Sequence, residues 1–328
     1  MKLIVQIPCL NEEATLPATI ADLPRRVEGI DEIELLVVDD GSTDRTVAVA
    51  RELGVDHIVR LTNNKGLAAG FQAGLDACLK LGADVVVNTD ADNQYRGEDV
   101  AKLVAPIVAG EADMVVGDRQ VAQIEHFSGA KKGLQRLGSW VVRRLSGTEV
   151  TDATSGFRAY NREAALQLLV VDNFTYTLES LIQAGKELVA VDQVTVGTNP
   201  QTRESRLFAS TGSYVRRNAP AILRIYARYE PLRVFATAAA ALLALAFAAW
   251  LPFLIDWIFN GDNSGHIQSL ILGAVLFIAA VQMFALGVIG DLLAGQRAMT
   301  QRVFERVRRV ELALGVPPSH YEPGKRDE

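Results

Sequence analysis

Asp90 and Asp92 stand one residue apart in TDADNQ (89–94), immediately after the run Asp84-Val85-Val86-Val87-Asn88, which reads as a buried strand. Two carboxylates on a loop leaving such a strand can both turn toward one hard cation, and Gln94 can add a carbonyl oxygen. Mg2+ or Mn2+ accepts an oxygen set of that kind when substrate phosphates complete the shell. A lone D-x-D occurs by chance on many surfaces, so its weight comes from its company. Three earlier apolar runs also end in polar residues: PCLNEE (8–13), DDGSTD (39–44) and NNKGLAAG (63–70). Each has an ordinary explanation as well. Asn11 with Glu12 and Glu13, or Ser42 with Asp44, suit helix N-caps, and Gly41 suits a turn. Four polar ends on one rim argue for a ligand site. No G-x-G-x-x-G follows the first run and no G-x-x-x-x-G-K-[ST] occurs, so the dinucleotide and P-loop fingerprints are missing. His57, His126, His266 and His320 sit in no catalytic motif.

The elements that must position these residues alternate. Apolar runs at 3–7, 33–40, 56–61 and 84–88 predict strands. Helices are expected from near Asn11, from about Thr43, and over about 66–81. Strands alternating with helices predict a mostly parallel sheet covered on both faces, in which ligands sit at the carboxyl ends of the strands.

Composition sets the wider frame. The chain has 328 residues, 49% of them hydrophobic, enough for a catalytic domain and something more. Its net charge of −6 argues against a nucleic-acid partner. Cys9 and Cys78 read as reduced buried thiols. The apolar run at the N-terminus is too short for a signal peptide and reads as a strand, placing the first domain in the cytoplasm.

From Val234 to Ile255 and from Ile267 to Ile289 no charged residue occurs, and each stretch matches the roughly 20 residues that cross a hydrocarbon core. Both are predicted transmembrane helices, the alternative being a buried hairpin of a soluble core. Trp250 and Trp257 suit an interface. Arg216, Arg217, Arg224, Arg228 and Arg233 precede the first span. Arg297, Arg302, Arg306, Arg308 and Arg309 follow the second, and the loop NGDNSGH between them has no Lys or Arg. The positive-inside rule puts both ends in the cytoplasm. With Tyr214, Tyr226 and Tyr229, the arginines suit juxtamembrane helices on an anionic leaflet. The small residues Gly273, Ala274, Ala279, Ala280, Gly287 and Gly290 permit close helix contact and oligomerisation. The expected organisation is a catalytic domain over 1–206, amphipathic helices over 207–231, and two spans over 232–294 with an outside loop at 260–266. A cytoplasmic helix over 295–328 completes it, with a tail disordered from Gly315 onward.

PCLNEE, VVDDGSTD, NNKGLAAG and TDADNQ together resemble the family 2 glycosyltransferases of the GT-A fold, an α/β architecture. TSGFRAY (154–160) and the spans with VQMFALGVIGDLLAG (281–295) narrow the resemblance to the polyprenyl-phosphate glycosyltransferases, the group of dolichol-phosphate mannosyltransferase and bactoprenol glucosyltransferase. It covers nearly the whole chain. The resemblance implies that Pro8, Asn11, Glu12 and Asp40 hold the base and ribose of a nucleotide sugar, UDP- or GDP-linked, with Lys65 and Gly66 in the loop beside them. It implies that Asp90, Ala91, Asp92 and Gln94 form the metal and diphosphate site, and that Arg119 in VVGDR lies near the phosphates. TRESR (202–206) matches a segment whose basic residue and serine meet the acceptor phosphate, which points to Arg203 and Ser205. Arg206 stands where lysine is common, keeping the charge but changing its hydrogen-bond geometry. Lys132, Arg136 and Ser139 are further acceptor-phosphate residues, or else a solvated basic face. QRLGSW (135–140) lacks the spacing of the Q-x-x-R-W signature, and processive synthesis is rejected.

The reaction so implied is inverting transfer of a sugar to a polyprenyl phosphate at the cytoplasmic face of the plasma membrane, with Asp92, Arg119 and Arg203 as catalytic residues and Mg2+ or Mn2+ as cofactor. The acceptor phosphate is itself anionic at pH 7, with a second pKa of about 6, and needs little help from a base. A homo-oligomer, a tetramer by family analogy, is implied too. Two other readings stand beside it: transfer to a neutral lipid hydroxyl, with Asp152 as the nearest base, and a non-catalytic nucleotide-sugar scaffold. The sugar itself stays open.

Overall fold

The computed structural model describes residues 1–120, 140, 142–170, 176–200, 224, 226–260 and 266–324. It divides into two compact units, one of Met1–Ala219 with Gln301–Glu328 and one of Pro220–Thr300.

The first unit is built on a sheet of β1 (Lys2–Cys9), β2 (Glu32–Asp39), β3 (His57–Arg60), β4 (Val85–Asn88), β5 (Met114–Asp118), β6 (Arg158–Asn161), β7 (Val191–Thr195) and β8 (Tyr321–Pro323). Among the described residues the strand order is β7-β5-β6-β4-β1-β2-β3-β8. The pairs β1–β2, β1–β4, β2–β3 and β5–β7 are parallel, whereas β4–β6, β5–β6 and β3–β8 are antiparallel. The sheet is therefore mixed, and its antiparallel pairs all involve strands beyond Asn88. The four leading strands run in one direction, with Gln6 opposite Asn88 and Cys9 opposite Asp39. That register brings the polar segments after β1 to β4 to a single rim.

The helices are α1 (Leu16–Asp22), α2 (Thr46–Glu52), α3 (Leu67–Lys80), α4 (Val100–Val108), α5 (Arg162–Gln167) and α6 (Tyr176–Lys186). Leu3, Val5 and Ile7 of β1 pack with Leu16, Ile20, Val100, Leu103 and Val104 in one core. On α3, a Cβ at Gly74 would stand 2.5 Å from Gln6 Oε1 and 2.8 Å from Val38 Cγ2, so the glycine lets the helix lie close on β1 and β2. Both α1 and α2 begin later than expected. Asn11 adopts φ 55°, a left-handed conformation that asparagine tolerates, and its Oδ1 accepts the Thr43 N–H at 2.8 Å. The Ser42 hydroxyl in turn accepts the Asn11 N–H at 2.9 Å. The would-be caps instead tie two loops together. Cys9 and Cys78 are both free and buried.

The expected disordered tail is corrected by the structure: Tyr321–Pro323 form β8, paired with β3. Backbone pairing at a sheet edge needs no apolar pattern, which is why hydropathy misses it. The Tyr321 hydroxyl lies 3.0 Å from His57 Nδ1, whose Nε2 meets Glu34 at 2.7 Å, and Glu322 pairs with Arg51. Two arginines expected at the membrane surface also belong to this unit. Arg308 is 3% exposed, and its Nη1 donates to the carbonyls of Ala165, Leu166 and Leu168, while Arg309 pairs with Glu163 and Glu305. A Cβ at Gly324 would run into the Val55 carbonyl. Gly324→Ala is therefore expected to lower stability by about 1–3 kcal/mol through overpacking, read as a lower midpoint in chemical denaturation of the detergent-solubilised protein.

The second unit contains α7 (Pro231–Ile255) and the greater part of α8 (Ile267–Ala313), both long and apolar enough to cross a membrane. The second predicted span thus continues as one helix well past Ile289. Within the hairpin the Trp250 indole donates to the Leu270 carbonyl at 3.1 Å, and a Cβ at Gly287 or Gly290 would come 3.0 Å from Phe235 Cβ or 2.7 Å from Pro231 Cβ. The small residues are where the two helices touch. Leu251, Ile271 and Val275, each more than half exposed, point away from that contact. An outward apolar surface of this extent suits lipid and disfavours the soluble-hairpin alternative.

Candidate active site

Four rim loops are knitted to one another. Asp40, buried at the end of β2, accepts the Lys65 N–H at 2.7 Å and the Gly66 N–H at 2.9 Å. It thereby sets the start of α3, and a Cβ on Gly41 would lie 2.5–2.7 Å from the backbone of Asn63 and Asn64. Glu12 is buried beside this junction, its N–H donating to Thr46 Oγ1 at 2.8 Å and its carboxylate accepting from Thr15 Oγ1 at 2.7 Å. Pro8 is half-buried at the end of β1. Pro8, Asn11, Glu12, Asp40, Lys65 and Gly66 thus share one side of the rim. The Asp40 carboxylate shapes the Lys65–Gly66 loop from below.

The D-x-D loop leaves β4 at Asn88. Thr89 N–H donates to the Gln6 carbonyl at 3.1 Å, and the buried Ala91 carbonyl accepts from Thr19 Oγ1 at 2.9 Å. Asp92 Oδ1 takes the Gln94 N–H at 3.1 Å, closing a local turn, and Asn199 N–H binds the Gln94 carbonyl at 2.8 Å. Tyr95 is buried and stacks on Phe157 at 4.8 Å, which fixes the loop from below. Among the described residues none donates a hydrogen bond to the Asp90 carboxylate. Burial pushes its pKa up to about 7, with the charges of Asp92 and Glu12 adding to the rise and Arg119 opposing it.

This has a measurable consequence in the metal-free protein. The native carboxyl holds a proton that the unfolded chain, titrating near 3.9, has already released, so this site makes stability fall as pH rises between about 4 and 7. Asp90→Asn is expected to raise the melting temperature at pH 8 and to flatten its dependence between pH 5 and 8, measured in EDTA.

Arg119 follows β5 and turns its fork onto Asp152: Nε donates to Oδ2 at 2.7 Å and Nη2 to Oδ1 at 3.0 Å, with a further bond from Nη2 to Thr154 Oγ1 at 2.9 Å. The guanidinium carbon lies 5.9 Å from the Tyr95 ring centre. Burial alone would raise the Asp152 pKa, but the Arg119 charge and hydrogen bonds hold it below the usual carboxylate range. A carboxylate so engaged is a poor general base. Sequence reasoning missed this pairing, and it missed the place of Tyr95 under the loop; the aromatic directly after TDADNQ was the one available signal. Lys132, Arg136, Ser139, Arg203, Ser205 and Arg206 lie outside the described residues.

Among the described residues no group of three or more His, Cys, Asp and Glu side chains is gathered for a metal. Asp90 and Asp92 nevertheless fit Mg2+ or Mn2+ as the family would use it. They are two hard oxygen donors close enough to repel one another, a donor pair of the kind a small divalent cation takes.

The profile of Glycosyl transferase family 2 matches residues 4–169. The chain belongs to this family. It is a glycosyltransferase, and residues 230–295 match the GtrB C-terminal hairpin. Among curated relatives, polyprenol monophosphomannose synthase of Mycolicibacterium smegmatis is 33% identical over 54% of this chain and 68% of its own length. Undecaprenyl-phosphate mannosyltransferase of Micrococcus luteus is 30% identical over 58% and 82%. Dodecaprenyl-phosphate galacturonate synthase of Rhizobium johnstonii is 25% identical over 90% and 88%. Among solved structures, glucosyl-3-phosphoglycerate synthase of Mycobacterium tuberculosis matches with a TM-score of 0.52 at 26% identity, covering 68% of this chain and 79% of that one. Its complex with Mn2+, UDP-glucose and phosphoglyceric acid matches at 0.51 and 25%, over 62% and 72%. These likenesses agree with the mixed α/β sheet and the GT-A assignment.

Proposed function

We propose that this glycosyltransferase moves a sugar from a nucleoside diphosphate, UDP or GDP, to a polyprenyl phosphate at the cytoplasmic face of the membrane. The observation that carries the reading is the union in one chain of the Asp90/Asp92 rim with a hairpin of the GtrB type whose apolar side chains face outward. Relatives named for undecaprenyl and dodecaprenyl phosphates support the acceptor, and a neighbour solved with Mn2+ and UDP-glucose supports donor and metal. Sidedness rests on Arg228 just before α7, on Arg233 in its first turn, and on Arg297 and Arg302 late in α8.

Asp90 and Asp92 would hold the cation, and Pro8, Asn11, Glu12 and the Lys65–Gly66 loop would bind the nucleotide. Bound there, Mg2+ or Mn2+ would supply Lewis-acid neutralisation of charge on the departing diphosphate. Arg119, fixed by Asp152, would present positive charge beside the same oxygens. The acceptor phosphate attacks without a base and inverts the sugar carbon, a route consistent with Asp152 being committed to Arg119. That commitment also weighs against the neutral-hydroxyl alternative.

The test incubates purified protein with undecaprenyl phosphate, Mg2+ or Mn2+, and labelled UDP- and GDP-sugars, and counts label in the organic phase. Lipid-soluble label from one donor is expected. Nucleotide release without such label would sink the acceptor assignment.

A further inference from the structure

Gly156 lies under the D-x-D loop with both backbone groups held. Its N–H donates to the Tyr95 hydroxyl at 3.1 Å, and its carbonyl accepts from Asn88 Nδ2 at 2.8 Å. Asn88 is itself fixed, since its Oδ1 accepts from Gln6 Nε2 at 2.9 Å and its Nδ2 also reaches the Tyr176 hydroxyl at 3.1 Å. A Cβ at position 156 would stand 2.8 Å from that hydroxyl and 3.1 and 3.2 Å from the two carboxylate oxygens of Asp90. The first contact is too close for a methyl group, and the other two are tight enough that the carboxylate would have to yield by a few tenths of an ångström. The backbone of Gly156 can retreat only by breaking two buried hydrogen bonds. Tyr176 is stacked on Phe71 at 4.3 Å and is likewise held. Asp90, which no described residue hydrogen-bonds, is the group that would move.

We propose that Gly156 and Tyr176 are positioning residues that set where the Asp90 carboxylate stands for a divalent cation. The inference rests on the metal reading above and deepens it. Gly156 is absent from the glycines with positive φ, so alanine is conformationally admissible there and its effect would be steric. The bare α-carbon of Gly156 and the tyrosine hydroxyl together act as a backstop, leaving the carboxylate one place to stand. Supporting groups of this kind around metal ligands typically govern about 10–100-fold in affinity.

The test measures Mn2+ binding by the electron paramagnetic resonance signal of the free ion, with UDP or GDP present, on wild type, Gly156→Ala and Gly156→Ala/Tyr176→Phe. Gly156→Ala is expected to bind Mn2+ at least about tenfold more weakly. Removing the Tyr176 hydroxyl opens space for the new methyl and is expected to recover a large part of that loss, a rescue that general loosening would not produce. Gly156→Ala binding Mn2+ within twofold of wild type would overturn the proposal while leaving the metal reading intact. Wild type failing to bind Mn2+ with either nucleotide would overturn both. If Gly156→Ala does not fold, the double variant decides: folded and binding Mn2+ supports the backstop, and unfolded makes position 156 a packing site only and overturns it.

Discussion

Asp92→Asn is expected to lower the rate of lipid-linked sugar formation by about 10²–10³-fold, the scale seen when one stabilising group is removed from a developing charge. The substitution keeps an oxygen that can accept the Gln94 N–H, the bond Asp92 Oδ1 makes at 3.1 Å, so the local turn should survive. Under the proposed function it removes one of two negative ligands for a divalent cation. Melting temperature in EDTA should therefore stay near that of wild type, while Mn2+ affinity and turnover fall together. Asp92→Ala removes the turn acceptor as well, and should lose stability in addition. A rate for Asp92→Asn within fivefold of wild type would mean that the cation, if one is used, is held elsewhere.

Asp152→Ala is expected to destabilise the protein by about 3 kcal/mol, because it leaves the largely covered Arg119 guanidinium without its carboxylate partner. The carboxylate is 3% exposed and receives both arms of the arginine fork. Replacing both members by apolar residues, Arg119→Met with Asp152→Leu, should recover most of that loss, since a well-packed apolar pair often substitutes for a buried ion pair. The comparison separates two roles that either single variant confounds. If Arg119 supplies charge to the phosphates, the double variant is stable and slow. If the pair only holds β5 against the loop before β6, the double variant is stable and active. Chemical denaturation and initial rates on the same preparations read both quantities.

The sequence made the first half of the sheet legible because β1, β2 and β4 are buried on both faces, so their cores appear as unbroken runs such as Leu3-Ile4-Val5 and Val85-Val86-Val87. The polar segment that carries Asp90 and Asp92 was legible for a related reason: strand ends in a parallel sheet concentrate polar residues in short, ordered segments. Helix starts were misplaced where a residue type suited to capping bridges loops instead, as Asn11 and Ser42 do. The β6 strand was hidden by Arg158, which is fully buried yet satisfied by the carbonyls of Ala153, Ser155 and Thr177 and the hydroxyl of Ser180. Hydropathy scores such a residue as surface. The pairing of Arg119 with Asp152 joins two charged residues 33 positions apart, and neither type nor spacing distinguishes that partner from many others.

The partner that completes β3 is encoded far downstream, Tyr321 lying 264 residues after His57. At translation rates of about 5–20 residues per second, roughly 10–50 s separate synthesis of the two strands. Throughout that interval the nascent sheet carries an open edge, the kind of surface that recruits wrong partners. Its rightful strand appears only after both apolar helices have been made. Maturation of the catalytic fold is thereby timed to production of the hairpin, and a ribosome that stalls within α7 or α8 leaves behind a catalytic sheet with one edge uncovered.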